Sequence, residues 1–277
     1  MLVLLFFVAA ASTAPVTRYG EAAPLVRPFA YNCNPSSAPL PDRTNTTFEA
    51  NLEKLSTIVP ANASASGGFF VGSLGAAPDT VFALALCRGD TIGADCTVCL
   101  ESTFQNAIYY CSNAWDVTIY QERCQVRFSN LDFLDDRDFL ASDRINDAWN
   151  PDSITVPMFP GIDPNDTQSV TFVAATVSML MRETAMLAAF NASQRFATAL
   201  MDTGGAFPTL YSMAQCTPDL SPAECFACLD VIVQMIPTNG RRGGRIMGLR
   251  CSIRYESDVF YGGKAMWIFG STLRDGM

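Results

Sequence analysis

The sequence predicts an α+β protein built as two tandem domains. Each has two helices packed on a roughly five-stranded antiparallel sheet, stapled by disulfides. Three observations predict it. A cysteine block occurs twice, as Cys87, Cys96 and Cys99 followed by Leu100-Glu101, and as Cys216, Cys225 and Cys228 followed by Leu229-Asp230, with all three cysteines at an offset of 129 residues. Downstream, Arg123-Cys124-Gln125-Val126-Arg127-Phe128 returns as Arg250-Cys251-Ser252-Ile253-Arg254-Tyr255 at an offset of 127 residues. Between these anchors, helical and strand periodicities alternate in a similar order in both halves, as expected of a repeated α+β unit.

Residues 1–23 read as a signal peptide and leader: the apolar run 2–11 is too short to span a bilayer and ends in small residues, with cleavage expected between 11 and 23. The first domain is placed at 27–132. Residues 29–33 read as a short strand, and Thr46-Thr47-Phe48-Glu49 as a capping box opening a helix that carries Phe48, Leu52, Leu55 and Ile58 and is expected to end at Pro60. Strands are expected at 67–72 and 80–87, a helix at about 92–110, and a hairpin from 115–120 and 123–129 in which Cys124, Val126 and Phe128 share a face.

Residues 133–147 form an Asp-rich stretch without regular ligand spacing and read as an acidic connector. The second domain is placed at 148–262, followed by a tail at 263–277. Its long apolar helix spans 170–190 and carries Val173, Val177, Leu180 and Leu187; Arg182 and Glu183 interrupt it, so it reads as a soluble helix and no membrane span is expected in the mature chain. Strands follow at 195–201 and 209–216. Ser221-Pro222-Ala223-Glu224 is a helix start with Ser at the cap, Pro in the first turn and Glu at the third position, and 246–255 closes the sheet.

Composition narrows the function. A net charge of −9 with no polybasic run disfavours a nucleic-acid partner, whose phosphates require a basic patch. The chain has no histidine, which excludes His-assisted nucleophiles and His-ligated metals. Asp202-Thr203-Gly204 matches a protease tripeptide, yet that chemistry needs two carboxylates sharing a site and no second copy exists; it reads as a turn. Ten cysteines, an even number, in an exported chain read as a disulfide framework rather than zinc sites. No metal, no cofactor and no catalytic residue are expected. Sequons at Asn45, Asn62, Asn165 and Asn191 are candidate glycosylation sites.

The doubled C-x8-C-x2-C block with its Arg-Cys-x-(Val/Ile)-Arg-(Phe/Tyr) strand resembles the plant ginkbilobin-homology domain, also called the salt-stress-response/antifungal domain. The resemblance covers about residues 27–262. It is found singly in seed antifungal proteins and in tandem in the ectodomains of cysteine-rich receptor-like kinases, in plasmodesmata-located proteins and in cysteine-rich repeat secretory proteins, which this chain resembles most in its ending. Ten cysteines allow about 945 connectivities by counting alone; the resemblance implies Cys33–Cys111, Cys87–Cys96, Cys99–Cys124, Cys216–Cys225 and Cys228–Cys251. Gly240 stands where the second repeat would match Cys111, and nothing there matches Cys33, so both halves of that bridge are absent together.

The resemblance also implies a mannose site made of an Asn after the first Cys, an Arg six before the last and a Glu five after it. Asn34 fits in the first repeat, where Thr118 and Ser129 occupy the other places; Arg245 and Glu256 fit in the second, where the leading Cys-Asn is missing. No single repeat carries the trio. The expected function is therefore a secreted, non-enzymatic binding protein of the plant cell surface or apoplast, in defence or stress signalling, whose ligand is a glycan, a peptide or a receptor ectodomain. A mannose-binding antifungal lectin and a truncated receptor-kinase ectodomain are the alternatives. The two repeats are expected to pack through apolar faces.

Overall fold

The computed structural model describes residues 27–34, 46–135, 145–149, 162–163, 165–203, 209–236 and 241–270. The expected signal segment, Asn45, Gly204, Gly240, most of the connector and residues 271–277 of the tail lie outside these.

The first repeat runs β1 (Ala30–Asn34), α1 (Thr47–Ala65), β2 (Phe69–Leu74), β3 (Val81–Cys87), α2 (Ala94–Tyr110), β4 (Asp116–Tyr120) and β5 (Cys124–Ser129). Its sheet has the order β1-β4-β5-β3-β2, antiparallel throughout. Thr46 caps α1 by accepting from the Glu49 amide at 3.1 Å. The helix does not end at Pro60 but continues to Ala65 with Pro60 inside it. A helical proline costs about 3 kcal/mol; here the stripe Leu55, Val59 and Ala63 is fully buried on either side of it, and that packing offsets the lost hydrogen bond.

The second repeat runs β6 (Ile145–Trp149), α3 (Thr167–Met186) with a π turn over Leu187–Asn191, β7 (Phe196–Met201), β8 (Leu210–Cys216), α4 (Pro222–Met235), β9 (Gly243–Gly248), β10 (Cys251–Glu256) and β11 (Trp267–Phe269). The sheet order is β11-β7-β8-β10-β9-β6. β6 takes in 145–147, which the sequence reading gave to the connector, and β11, from the expected tail, adds a sixth strand parallel to β7. The closing segment 246–255 is two strands, β9 and β10, because the chain turns at Leu249-Arg250 as it does at Glu122-Arg123 in the first repeat. Ser221 and Glu224 form the full capping box of α4. Among the described residues, the helix through α3 and its π turn, 167–191, is long and apolar enough to cross a membrane. It packs Val173, Val177, Leu180, Met181 and Ala185 into the second core.

Strand alternation sorts each sheet into two faces. In β3, Val81, Ala83, Ala85 and Cys87 face the helices, whereas Phe82 and Leu84 pack into a separate cluster on the other side. In β8, Leu210, Ala214 and Cys216 face inward, and Tyr211 and Met213 outward. Sulfur is bonded to sulfur in Cys33–Cys111, Cys87–Cys96, Cys99–Cys124, Cys216–Cys225 and Cys228–Cys251, with Cα separations of 5.3, 5.7, 6.1, 5.7 and 6.2 Å.

Candidate functional site

The two repeats meet along the outer faces of their sheets, and the seam has two unlike halves. In the apolar half, Leu249 from the β9–β10 turn packs with Leu84 of the first repeat and with Phe133 just beyond it. Next to it, Arg250 is 3% exposed, donating to Asp219 at 2.7 Å and to the Leu134 carbonyl.

The polar half is its counterpart. Glu122 stands in the β4–β5 turn where the second repeat has Leu249. It accepts from Arg245 Nη1 at 2.6 Å and from Arg254 Nη1, both of the second repeat. Arg254 Nε also donates to Glu256 Oε1 at 2.8 Å. The guanidinium of Arg245 lies 3.9 Å over the Phe29 ring and that of Arg254 4.2 Å over Phe260. Arg88 bonds Asp90 through two nitrogens, and Asp90 accepts the Gly262 amide at 2.6 Å. So the expectation of an apolar interface between repeats holds for half the seam only.

Electrostatics follow from this geometry. Burial alone would raise the Glu122 carboxyl, but Arg254 and Arg245 more than offset that and hold it below the usual carboxylate range. Burial, then the neighbouring Arg254, lowers the Arg245 guanidinium, while Glu122 and Glu256 oppose the shift. Tyr261, whose hydroxyl donates to the Ala199 carbonyl, is pushed up to about 12 by burial and then by Tyr211.

The three sequence-expected sugar ligands do not converge. Arg245 and Glu256 lie near one another on β9 and β10, yet each is engaged by another side chain, Arg245 by Glu122 and Glu256 by Arg254. Glu256 is 5% exposed, and a Cβ on Gly243, its register partner, would fall 1.8 Å from its Oε2; the carboxylate fills the space that the glycine leaves. Asn34 sits beside Asp116, its amide nitrogen 3.5 Å from Oδ2. It lies five residues along the chain from Phe29, roughly 16 Å at strand rise from the ring under Arg245. Of the sequons, Asn62, Asn165 and Asn191 are exposed.

Sequence reasoning missed Glu122, Gln215, Gln125 and Gly89. Gln215 donates to the Cys87 carbonyl at 3.0 Å and accepts from the Gly89 amide at 3.3 Å, while Gln125 donates to the Leu249 carbonyl at 2.8 Å. A signal was present for Gln215: it falls on an outward position of its strand and stands where the first repeat has the apolar Leu86, whereas Gln125 matches the polar Ser252 and carried no such contrast. Among the described residues no group of three or more Cys, Asp or Glu is placed to hold a metal ion.

The salt stress response/antifungal family model matches residues 32–131 and again 164–258. The chain belongs to this family. Its similarity to the rice (Oryza sativa subsp. japonica) cysteine-rich receptor-like protein kinase 10 is 35% identity over 227 residues, 79% of this chain and 33% of the kinase. The putative cysteine-rich receptor-like protein kinase 9 of Arabidopsis thaliana is 32% identical over 216 residues, with 78% of this chain and 76% of that protein covered. The chain spans about a third of the length of the first kinases it matches, 33% and 31%. The tandem DUF26 ectodomains of the Arabidopsis thaliana cysteine-rich receptor-like proteins PDLP5 and PDLP8 superpose with TM-scores of 0.60 and 0.61 at 20% and 21% identity, covering 83% of this chain and 98% and 97% of theirs. The salt stress response/antifungal fold is thus present twice, in the tandem arrangement.

Proposed function

We propose that this salt stress response/antifungal chain is an extracellular, non-enzymatic binding protein of the plant cell surface or apoplast, acting in defence or stress signalling through a glycan, peptide or protein ligand. The observation that carries the reading is the span of the match: both repeats, and not a kinase portion, align with receptor-like kinases and fold like tandem ectodomains. Five disulfides among ten cysteines, with no free thiol among them, suit an oxidising compartment. The seam charges are spent on joining the repeats, which favours ligand recognition by outward surfaces over catalysis at the seam.

The test is expression of the full tagged chain in leaves, followed by recovery from apoplastic wash fluid and the surface of intact cells. Thiol labelling shows its redox state. We expect an oxidised, N-glycosylated chain outside the membrane that binds cell-wall or plasma-membrane fractions. Retention in the cytosol with reduced cysteines would overturn the reading.

A further inference from the structure

Three tyrosines stand together on the first repeat. The rings of Tyr31 in β1 and Tyr110 at the end of α2 have centroids 5.1 Å apart and tilted by 31°; Tyr109 meets Tyr110 edge-on at 4.9 Å. Tyr109 is 66% exposed and Tyr31 48%. Single exposed aromatics need no explanation. Rings in mutual contact form a surface.

That surface is held in place. Cys33 follows Tyr31 by two residues on the same side of β1, and Cys111 follows Tyr110, so the Cys33–Cys111 bridge ties the strand to the helix end at the rings themselves. The second repeat lacks this bridge, and Thr238 and Asn239 stand where the first has Tyr109 and Tyr110. The fold is made in the second repeat without either feature. Bridge and rings go together, and a bridge that fixes exposed rings removes the ordering cost that a ligand would otherwise meet.

We propose that this platform binds a neutral glycan chain; the inference rests on the extracellular binding role above and names the ligand class. Pyranose rings present C–H faces that pack on aromatic rings, and hydroxyl edges that need matched donors and acceptors. The platform supplies both. Gln105, one helical turn before Tyr109, and Ser112 and Asn113 just beyond Cys111 are exposed and uncharged. No charged side chain occurs in 102–115 or 28–34. A protein hot spot of this size draws on Arg and a charged rim, and neither of these two segments supplies one. A chain of net charge −9 repels polyuronates, so the glycan is a neutral one. The site is distinct from Asn34, because Tyr31 and Cys33 point to one side of β1 and Asn34 to the other.

The experiment is calorimetric titration of the disulfide-intact chain with cellohexaose, laminarihexaose and mannohexaose, with polygalacturonate as the anionic comparison. Binding of at least one neutral hexaose is expected, weakened about tenfold or more by Tyr109→Ala and by Tyr31→Ala, and retained in Tyr109→Phe. Unchanged thermal melting shows that these surface variants still fold. Absence of neutral-glycan binding at millimolar sugar overturns the proposal, as does preference for polygalacturonate. Binding that survives both alanine variants but is lost in Arg245→Ala overturns it in favour of a seam-side sugar site. Tyrosine-dependent capture of a membrane ectodomain with no glycan bound overturns it in favour of a protein partner. A chain found only in the cytosol would defeat the extracellular reading and leave this titration to decide the platform separately.

Discussion

Glu122 of the first repeat accepts from Arg245 of the second at 2.6 Å and shares its other oxygen with Arg254, so one carboxylate ties two strands of the neighbouring repeat to a turn of its own. The position carries Leu249 in the other copy, where the same turn is held by apolar packing. Duplication thus produced two equivalent contacts, and the chain solves one with charge and the other with hydrophobic burial. The charged one depends on pH and salt, and the apolar one far less.

The pH dependence has a definite sign. The folded Glu122 carboxyl lies below its unfolded value. Its contribution is therefore fully present above the unfolded carboxylate range and is lost as pH falls through the folded value. Glu122→Gln should flatten the acid limb of the melting-temperature profile. Half of Glu122 is exposed, so water screens much of the effect, and a gap of about 1–3 °C at neutral pH that closes as the pH falls below the usual carboxylate range is expected. Parallel profiles for the two proteins across that window would contradict the assignment.

Gly89 packs tightly against the second repeat. A Cβ there would lie 2.2 Å from the Phe196 ring, and that ring is itself buried in the cluster with Met213 and Tyr261. Gly89→Ala should force the seam apart and cost about 1–3 kcal/mol in denaturant unfolding. Added proteolysis between the repeats should accompany it. A variant as stable as the parent would mean that the seam slides freely to accommodate the methyl group.

The elements were legible in the sequence because local rules decide them. Ser221 and Glu224 announce the start of α4, and the alternation of Cys124, Val126 and Phe128 assigns the inner face of β5. Pro60 was misleading, because a local rule lost to burial of Val59 and Ala63. The seam was illegible for a different reason. Arg245 and Glu256 were visible as polar residues six before and five after Cys251, but the Glu122 partner of Arg245 depends on how one repeat docks on the other. Spacing within one repeat cannot report a contact across 123 residues of chain.

Gln215 gives a sharper test of the seam. Its side chain is 5% exposed and bonds both the Cys87 carbonyl and the Gly89 amide of the other repeat. Gln215→Ala leaves two backbone groups without these partners at a closed interface, at about 1–3 kcal/mol for each one that water does not reach. Gln215→Glu keeps an acceptor for Gly89 but sets a carboxylate against the Cys87 carbonyl, and should be destabilised most at pH above its carboxyl titration. Urea unfolding of both variants at two pH values separates the contributions. Equal stability of all three proteins would show that solvent replaces both hydrogen bonds.

The bridges offer the last prediction, because chain entropy ranks them before any packing is considered. Cross-linking removes more freedom from the unfolded chain as the closed loop lengthens. The separations are 78 residues for Cys33–Cys111, 25 for Cys99–Cys124 and 9 for Cys87–Cys96. The corresponding contributions are about 4.5, 3.5 and 2.6 kcal/mol. Paired Cys→Ser replacements should follow that order in equilibrium unfolding of the first repeat. The longest bridge is also the one that joins the edge strand β1 to the end of α2, so its loss has a second route: β1 can peel from β4 without global unfolding. Hydrogen exchange at the Tyr31 and Cys33 amides distinguishes the two. Accelerated exchange confined to β1, with global stability reduced by less than the Cys99–Cys124 pair removes, would show that the bridge clamps a local element. Loss of global stability in the order given would show that it acts on the unfolded chain.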